Sequence, residues 1–370
     1  MKMRKVVPVL IVVLLVAATA LTGCSKAAAP ATAPASATAD KPATADKPQL
    51  DKELNVFNWS EYLPQEVIDQ FQQEYGVKVN YDTYSSNEEM LAKIQSGAAG
   101  YDLVVPSDFM VQVMAKKGLL MPIDFANIPN FKNIADQNKN QAYDPGNKYT
   151  VPYMWGDVVI AVNTDKVKQP VTSWNDLWNP AFKGQVVALN DMRFVIGATL
   201  KTLGYSMNET DPAKLSQAEA KLKQLMPNVK VWDSDSPKTS LLNGEATIGL
   251  VWGAEAVLAR RENPAIQVVY PQEGIGLWQD NMAIPKGAQH QRTAEAFINF
   301  ILQPEIHKKI ADAFPYDLPN AAAQKLLDPK VLNDPQIYPP ADVLAKGEWL
   351  QDLGDTTQAY DKVWTEVKGQ

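Results

Sequence analysis

The chain has 370 residues, a net charge of −7 and 46% hydrophobic residues, enough apolar content for a sizeable core and more than one domain. Its acidic balance excludes a basic nucleic-acid footprint. One Cys and two His exclude a disulfide framework and a Cys/His zinc cluster, so no cofactor or metal is expected.

Lys2, Arg4 and Lys5 precede an apolar run, Val6 to Ala20, and then Leu21-Thr22-Gly23-Cys24. This pattern reads as a lipoprotein signal over residues 1–23, with cleavage exposing Cys24 for lipidation. Its loss removes three cations, and the remaining side chains carry −10. A body so acidic is repelled by an anionic lipid surface, so lipid on Cys24 has to hold it there. Residues 24–50 are Ala, Pro, Thr, Ser, Asp and Lys with hardly an apolar anchor, and read as a disordered tether. These features predict a protein lipid-anchored on the outer face of a cell membrane.

Leu54–Phe57 alternates as a strand, and Pro64 opens a helix carrying Val67, Ile68 and Phe71 that stops at Gly76. Val77–Tyr81 is a second strand, and Asn87 is placed to cap the helix of Met90 and Ile94. Leu103–Val105 is a short buried strand leading through Pro106-Ser107-Asp108 into a helix, with Ser107 and Asp108 as N-cap candidates. A second block follows: strands Val158–Val162, Val186–Ala188, Val229–Trp232, Ile248–Trp252 and Val268–Tyr270, with helices at Met192–Leu203 and Pro212–Leu225. Helices at Thr293–Leu302, Glu305–Ala313, Ala321–Leu327 and Thr356–Val367 complete the chain.

Strands alternating with helices predict an α/β fold with largely parallel strands, and two such blocks predict two lobes. Ligands of such sheets collect beyond the carboxyl ends of strands, where Trp59, Tyr62, Ser107 and Asp108 fall. Trp278 and Asp280, two apart in an extended stretch, share one side of it. An indole beside a carboxylate suits a cation with an apolar body. Secretion, a tether and two lobes together predict a solute-binding protein that closes over its ligand.

Seven segments carry a resemblance: Asn58-Trp59-Ser60-Glu61-Tyr62, Tyr101-Asp102-Leu103-Val104-Val105-Pro106-Ser107, Val151-Pro152-Tyr153-Met154-Trp155-Gly156, Thr172-Ser173-Trp174-Asn175-Asp176-Leu177-Trp178, Leu203-Gly204-Tyr205-Ser206, Trp278-Gln279-Asp280 and Asn299-Phe300-Ile301-Leu302-Gln303-Pro304. In this order they resemble the spermidine/putrescine-binding proteins of bacterial ABC transporters, from about residue 52 to the end. The resemblance implies a two-lobed fold of the type II periplasmic-binding-protein kind, with the ligand cleft between the lobes. Carried over, lobe one is 51–156 plus 279–324 and lobe two 158–278 plus 327–370, with crossings near 157, 278 and 325. It further implies a monomer that captures a polyamine, putrescine or spermidine, and delivers it to a membrane permease.

The implied contacts are Trp59, Tyr62, Ser107, Asp191, Trp252, Trp278 and Asp280. Three positions depart from the pattern: Phe194 stands where the resemblance implies a Glu, Phe109 where it implies a slot Tyr, and Leu350 where it implies a Gln, with Gln351 next to it. Glu255 stands where putrescine-type relatives have an acid, and is expected to replace the carboxylate lost at Phe194. These departures leave open a different amine or small solute in the same fold. Paired carboxylates in an aromatic cleft also describe a glycosidase, but every carboxylate placed here falls on a binding motif, so no enzyme is expected.

Overall fold

The computed structural model describes residues 49–97 and 100–369. The signal over 1–23, Cys24 and the tether up to residue 48 lie outside the described residues. Each segment from Gln49 onward belongs to one compact unit.

The fold opens with β1 (Glu53–Trp59), α1 (Gln65–Tyr75), β2 (Lys78–Tyr84), α2 (Asn87–Gln95), β3 (Leu103–Val104) and α3 (Asp108–Lys116). α1 buries Val67, Ile68 and Phe71 on one face and ends at Gly76, whose φ of 67° lets its N–H reach the Gln72 carbonyl. Phe71 meets Phe297 edge-on at 4.8 Å. Burying such a side chain is worth about 1.5–3 kcal/mol, and it fixes α1 against the later helix. α2 departs from expectation at its start. Ser86, not Asn87, is the N-cap and accepts from Glu89 N, so the buried Asn87 side chain is free for other work.

β4 (Thr150–Asn163) then runs fourteen residues, far beyond the predicted Val158–Val162. The fold continues with β5 (Val186–Ala188), α4 (Met192–Thr202), α5 (Pro212–Leu225), β6 (Val229–Trp232), α6 (Pro237–Leu242), β7 (Ile248–Trp252), α7 (Gly253–Glu262) and β8 (Ile266–Val269). The chain returns through β9 (Gly276–Ala283), α8 (Gln291–Ile301) and α9 (Pro304–Ala313) to β10 (Glu348–Trp349) and a last helix, Thr357–Lys368.

The strands are ordered β2-β1-β3-β9-β4-β7-β5-β6, with β10 beside β9 and β8 beside β4. The expectation of largely parallel strands needs correction. β1 pairs parallel with β2 and β3, and β5 with β6 and β7, but β4 is antiparallel to β7, β8 and β9. The sheet is mixed because β4 and β9, paired from Thr150/Ala283 to Val158/Gly276, run in opposite directions between the two parallel groups. From Val158 to Val162, β4 is packed on both faces. Val158, Ile160 and Val162 join the main core, while Val159 and Ala161 join a second cluster with Val187, Leu241 and Val251. Two covered faces explain the unbroken apolar run from Val158 to Val162.

Candidate functional site

Four parallel-group strands end at one place. Trp59 ends β1, Ser107 follows β3, Asp191 follows β5, and Trp252 ends β7. The β4–β9 ribbon adds Trp278 and Asp280 from below. With Tyr62, Asn87 and Phe194 these line a narrow slot of about 340 Å³, part of it open to solvent.

The aromatic walls are held by their own polar edges. The Trp59 indole donates to the Val105 carbonyl at 2.9 Å, Trp252 to the Ser234 carbonyl at 2.9 Å, and Trp278 to the Asp157 carbonyl at 3.4 Å. With every indole N–H spent on backbone, the rings offer faces and edges, not donors. Trp252 stands nearly perpendicular to Trp278 at 6.1 Å and to Phe194 at 5.4 Å. Tyr62 packs edge-on against Tyr153 and Tyr316. Tyr316 also meets Trp278 at 5.1 Å. Gly156, paired with Trp278 across the ribbon, makes room for the indole: a Cβ there would come within 2.7 Å of it.

The floor is a carboxylate. Ser107 is the N-cap of α3, yet its side chain caps nothing. Its hydroxyl donates instead to Asp280 Oδ1 at 2.6 Å. Asn87 holds that serine from both sides, donating to its Oγ at 3.0 Å and accepting its backbone N–H at 3.1 Å. Asp280 is buried, and no ion pair is made by it among the described residues. Burial pushes its pKa up to about 7, with the Ser107 hydrogen bond and the nearby Tyr62 hydroxyl pulling the other way. That Tyr62 hydroxyl is itself buried and outside hydrogen-bond geometry to any partner. Asp191, the N-cap of α4, accepts from Phe194 N at 2.9 Å. Its carboxyl is also raised by burial, opposed by backbone hydrogen bonds and the neighbouring Arg193 charge.

A slot with aromatic faces, two desolvated carboxylates and no indole donor is built to receive positive charge on an apolar body. Among the described residues no cluster of metal-ligating side chains occurs.

Of the residues selected from sequence, Trp59, Tyr62, Ser107, Asp191, Trp252, Trp278 and Asp280 are brought together. Two others lie elsewhere. Phe109 lines a second, wider cavity of about 1180 Å³ with Asp108, Tyr143, Gln279, Trp349 and Leu350. There its ring lies under the Arg193 guanidinium at 4.9 Å. Glu255, in the first turn of α7, is buried and held by Lys238 at 2.9 Å instead of facing the slot. The sequence reading missed Asn87 as a slot residue because it took the side chain for a helix cap, and it did not select Tyr316. Phe194, noted only as a missing acid, is a wall of the slot.

A profile of the bacterial extracellular solute-binding protein family matches residues 66–339. The spermidine/putrescine-binding periplasmic protein of Salmonella typhimurium is 42% identical over 317 residues, covering 85% of this chain and 91% of that one. The spermidine/putrescine ABC transporter substrate-binding protein of Streptococcus pneumoniae superposes with a TM-score of 0.72 at 35% identity, covering 86% of this chain and 99% of that one. A lipoprotein of Treponema pallidum gives 0.76 at 33%, covering 86% and 100%. With the two-lobed α/β architecture and the slot between the lobes, these matches establish that the chain belongs to the bacterial extracellular solute-binding protein family.

Proposed function

We propose that the chain captures a linear polyamine, putrescine or spermidine, in this slot and delivers it to an ABC permease, acting as a binder and not as a catalyst. The observation that carries the reading is Asp280: a buried carboxylate with no cation of its own, at the floor of an aromatic slot. Asp280 and Asp191 take ammonium groups, and Trp59, Tyr62, Trp252 and Trp278 flank the methylenes between them. The names of the relatives from Salmonella and Streptococcus agree with that ligand class. Lobe one comprises 51–156 and 279–324, lobe two 158–278 and 327–370, and the crossings near 157, 278 and 325 form the hinge. Closure follows from ligand contacts made to both lobes at once.

Titration calorimetry on the purified protein, freed of bound amines, tests this with putrescine, spermidine, spermine and a neutral sugar. Saturable binding of at least one amine and none of the sugar is expected. Heat from the sugar alone, or from nothing, overturns the reading. A second reading keeps the fold and changes the amine or small solute, because Phe194 puts a ring in the slot wall where the resemblance implies a Glu; a different solute displacing a bound fluorescent amine would favour it.

Gly156→Ala is expected to push the Trp278 indole out of place and weaken amine binding about tenfold, the scale of one cation–ring contact of about 0.5–2 kcal/mol. An unchanged dissociation constant would mean that the indole contributes nothing to the ligand.

Lipid on Cys24 would anchor the protein on the outer face of the cell membrane, as the word lipoprotein in the name of the Treponema relative suggests. Cys24→Ser should abolish metabolic labelling with palmitate and shift the protein from the membrane fraction. Equal labelling of the variant would refute the anchor.

A further inference from the structure

Lys238 lies at the second residue of α6, in the lobe that carries Asp191 and Trp252. Its ammonium donates to Glu255 Oε1 at 2.9 Å and Oε2 at 3.1 Å, to Ser236 Oγ at 3.0 Å, and to Glu61 from the other lobe. Glu61 immediately precedes the slot residue Tyr62 and is held at a φ of 47°, a left-handed conformation uncommon for a Glu. Glu255 sits one turn past the slot residue Trp252 and is buried.

This charge cluster adjoins the slot. Tyr316, whose ring packs on both Tyr62 and Trp278, feels both groups: after burial, the charges of Glu255 and then Asp280 are the largest influences on its hydroxyl. Glu61 is the chain neighbour of the slot residue Tyr62 and Glu255 lies one turn past the slot residue Trp252, so the two carboxylates, one from each lobe, flank the slot. A linear polycation with one more ammonium would find its acceptors there. They are already occupied. A lysine side chain is an ammonium on a four-carbon stem, chemically the end of a polyamine supplied by the protein itself.

We infer that Lys238 is a specificity-determining residue: its ammonium fills the Glu61–Glu255 acid pair from within the chain and confines the ligand to amines whose charges Asp280 and Asp191 can satisfy alone. The inference rests on the polyamine reading above, and it narrows that reading to a diamine in preference to a triamine. Lys238 also explains how Glu255 can be a buried acid beside the slot without being a ligand contact.

The test is the ratio of the spermidine and putrescine dissociation constants, read by calorimetry. The wild type is expected to favour putrescine. Lys238→Met keeps most of the stem and removes the charge, so the acid pair is freed and the ratio should move at least tenfold toward spermidine. Lys238→Arg should keep the wild-type ranking. In the double variant Lys238→Met with Glu61→Gln, the gained spermidine affinity should be lost again. Should the Met variant fail to fold, Lys238→Gln, which can still donate to Glu255, gives the same comparison. An unchanged ratio, or equal weakening of both amines, means that Lys238 only positions α6 and overturns the inference while leaving the polyamine reading intact. Failure of the wild type to bind either amine overturns that reading and this inference with it.

Discussion

Asp280→Asn is expected to weaken amine binding by about 2–5 kcal/mol, the usual cost of leaving one member of a buried charged pair without its partner. The amide preserves volume and can still accept from Ser107, which now donates at 2.6 Å, so the loss reports charge and not shape. The same substitution should stabilise the ligand-free protein at neutral and higher pH. Burial raises the Asp280 pKa from 3.8 to about 7. A carboxyl whose folded pKa lies above its unfolded value holds the proton more tightly when folded, so it costs stability as pH rises from about 4 to about 7. At about 1.4 kcal/mol per unit the full cost is of the order of 4 kcal/mol, and Asn removes it. Calorimetry and thermal melting at about pH 8 therefore have opposite signs in this variant: weaker binding, higher melting temperature. Lower affinity with a lower melting temperature would instead mark Asp280 as a structural residue.

Amine affinity is expected to fall as pH drops below about 7, by up to about tenfold per unit for each carboxyl that must ionise on binding. In the ligand-free slot Asp280 is largely protonated below its pKa of about 7. An incoming ammonium requires the carboxylate, so binding in that range releases a proton. Asp191, also raised by burial, adds in the same direction. Calorimetry at about pH 6 in buffers of different ionisation enthalpy reads the released proton directly. Asp157 and Glu255, both raised to about 7, lie nearby, but neither lines the slot. Asp280→Asn should accordingly remove most of the proton release. A flat pH profile between about 5.5 and 8 would contradict the assignment of Asp280 and Asp191 as ammonium acceptors.

Much of the slot was legible because it obeys local rules. The ends of strands announce themselves where an apolar run meets Trp59 or Ser107, and open α/β sheets collect ligands at such ends, whereas Trp252 and Asp191 were implied by the resemblance alone. The period of two along an extended segment put Trp278 and Asp280 on one side before their strand was seen. What escaped was decided by long-range packing. Pro152 and Gly156 interrupt the apolar run of β4, so it read as a shorter strand; in the fold the ladder shifts register between Pro152 and Met154 and continues. Asn87 has the composition of a helix cap, but Ser86 takes that role one residue earlier, and the amide turns to Ser107. Nothing near Tyr316 or Lys238 in sequence signals that one ring joins Tyr62 to Trp278, or that one ammonium joins Glu61 to Glu255. Glu255 illustrates the limit best. It was expected as a slot acid by resemblance to putrescine-type relatives, while the lysine that holds it lies in another helix and could not be read from spacing.

The most direct measurement is a crystal structure of the protein with putrescine bound. The account predicts one ammonium nitrogen within hydrogen-bond distance of Asp280, the methylenes between the rings of Trp59, Trp252 and Trp278, and the second nitrogen toward Asp191. Diamine density in the wider cavity beside Phe109 and Trp349, with the slot unchanged, would contradict it.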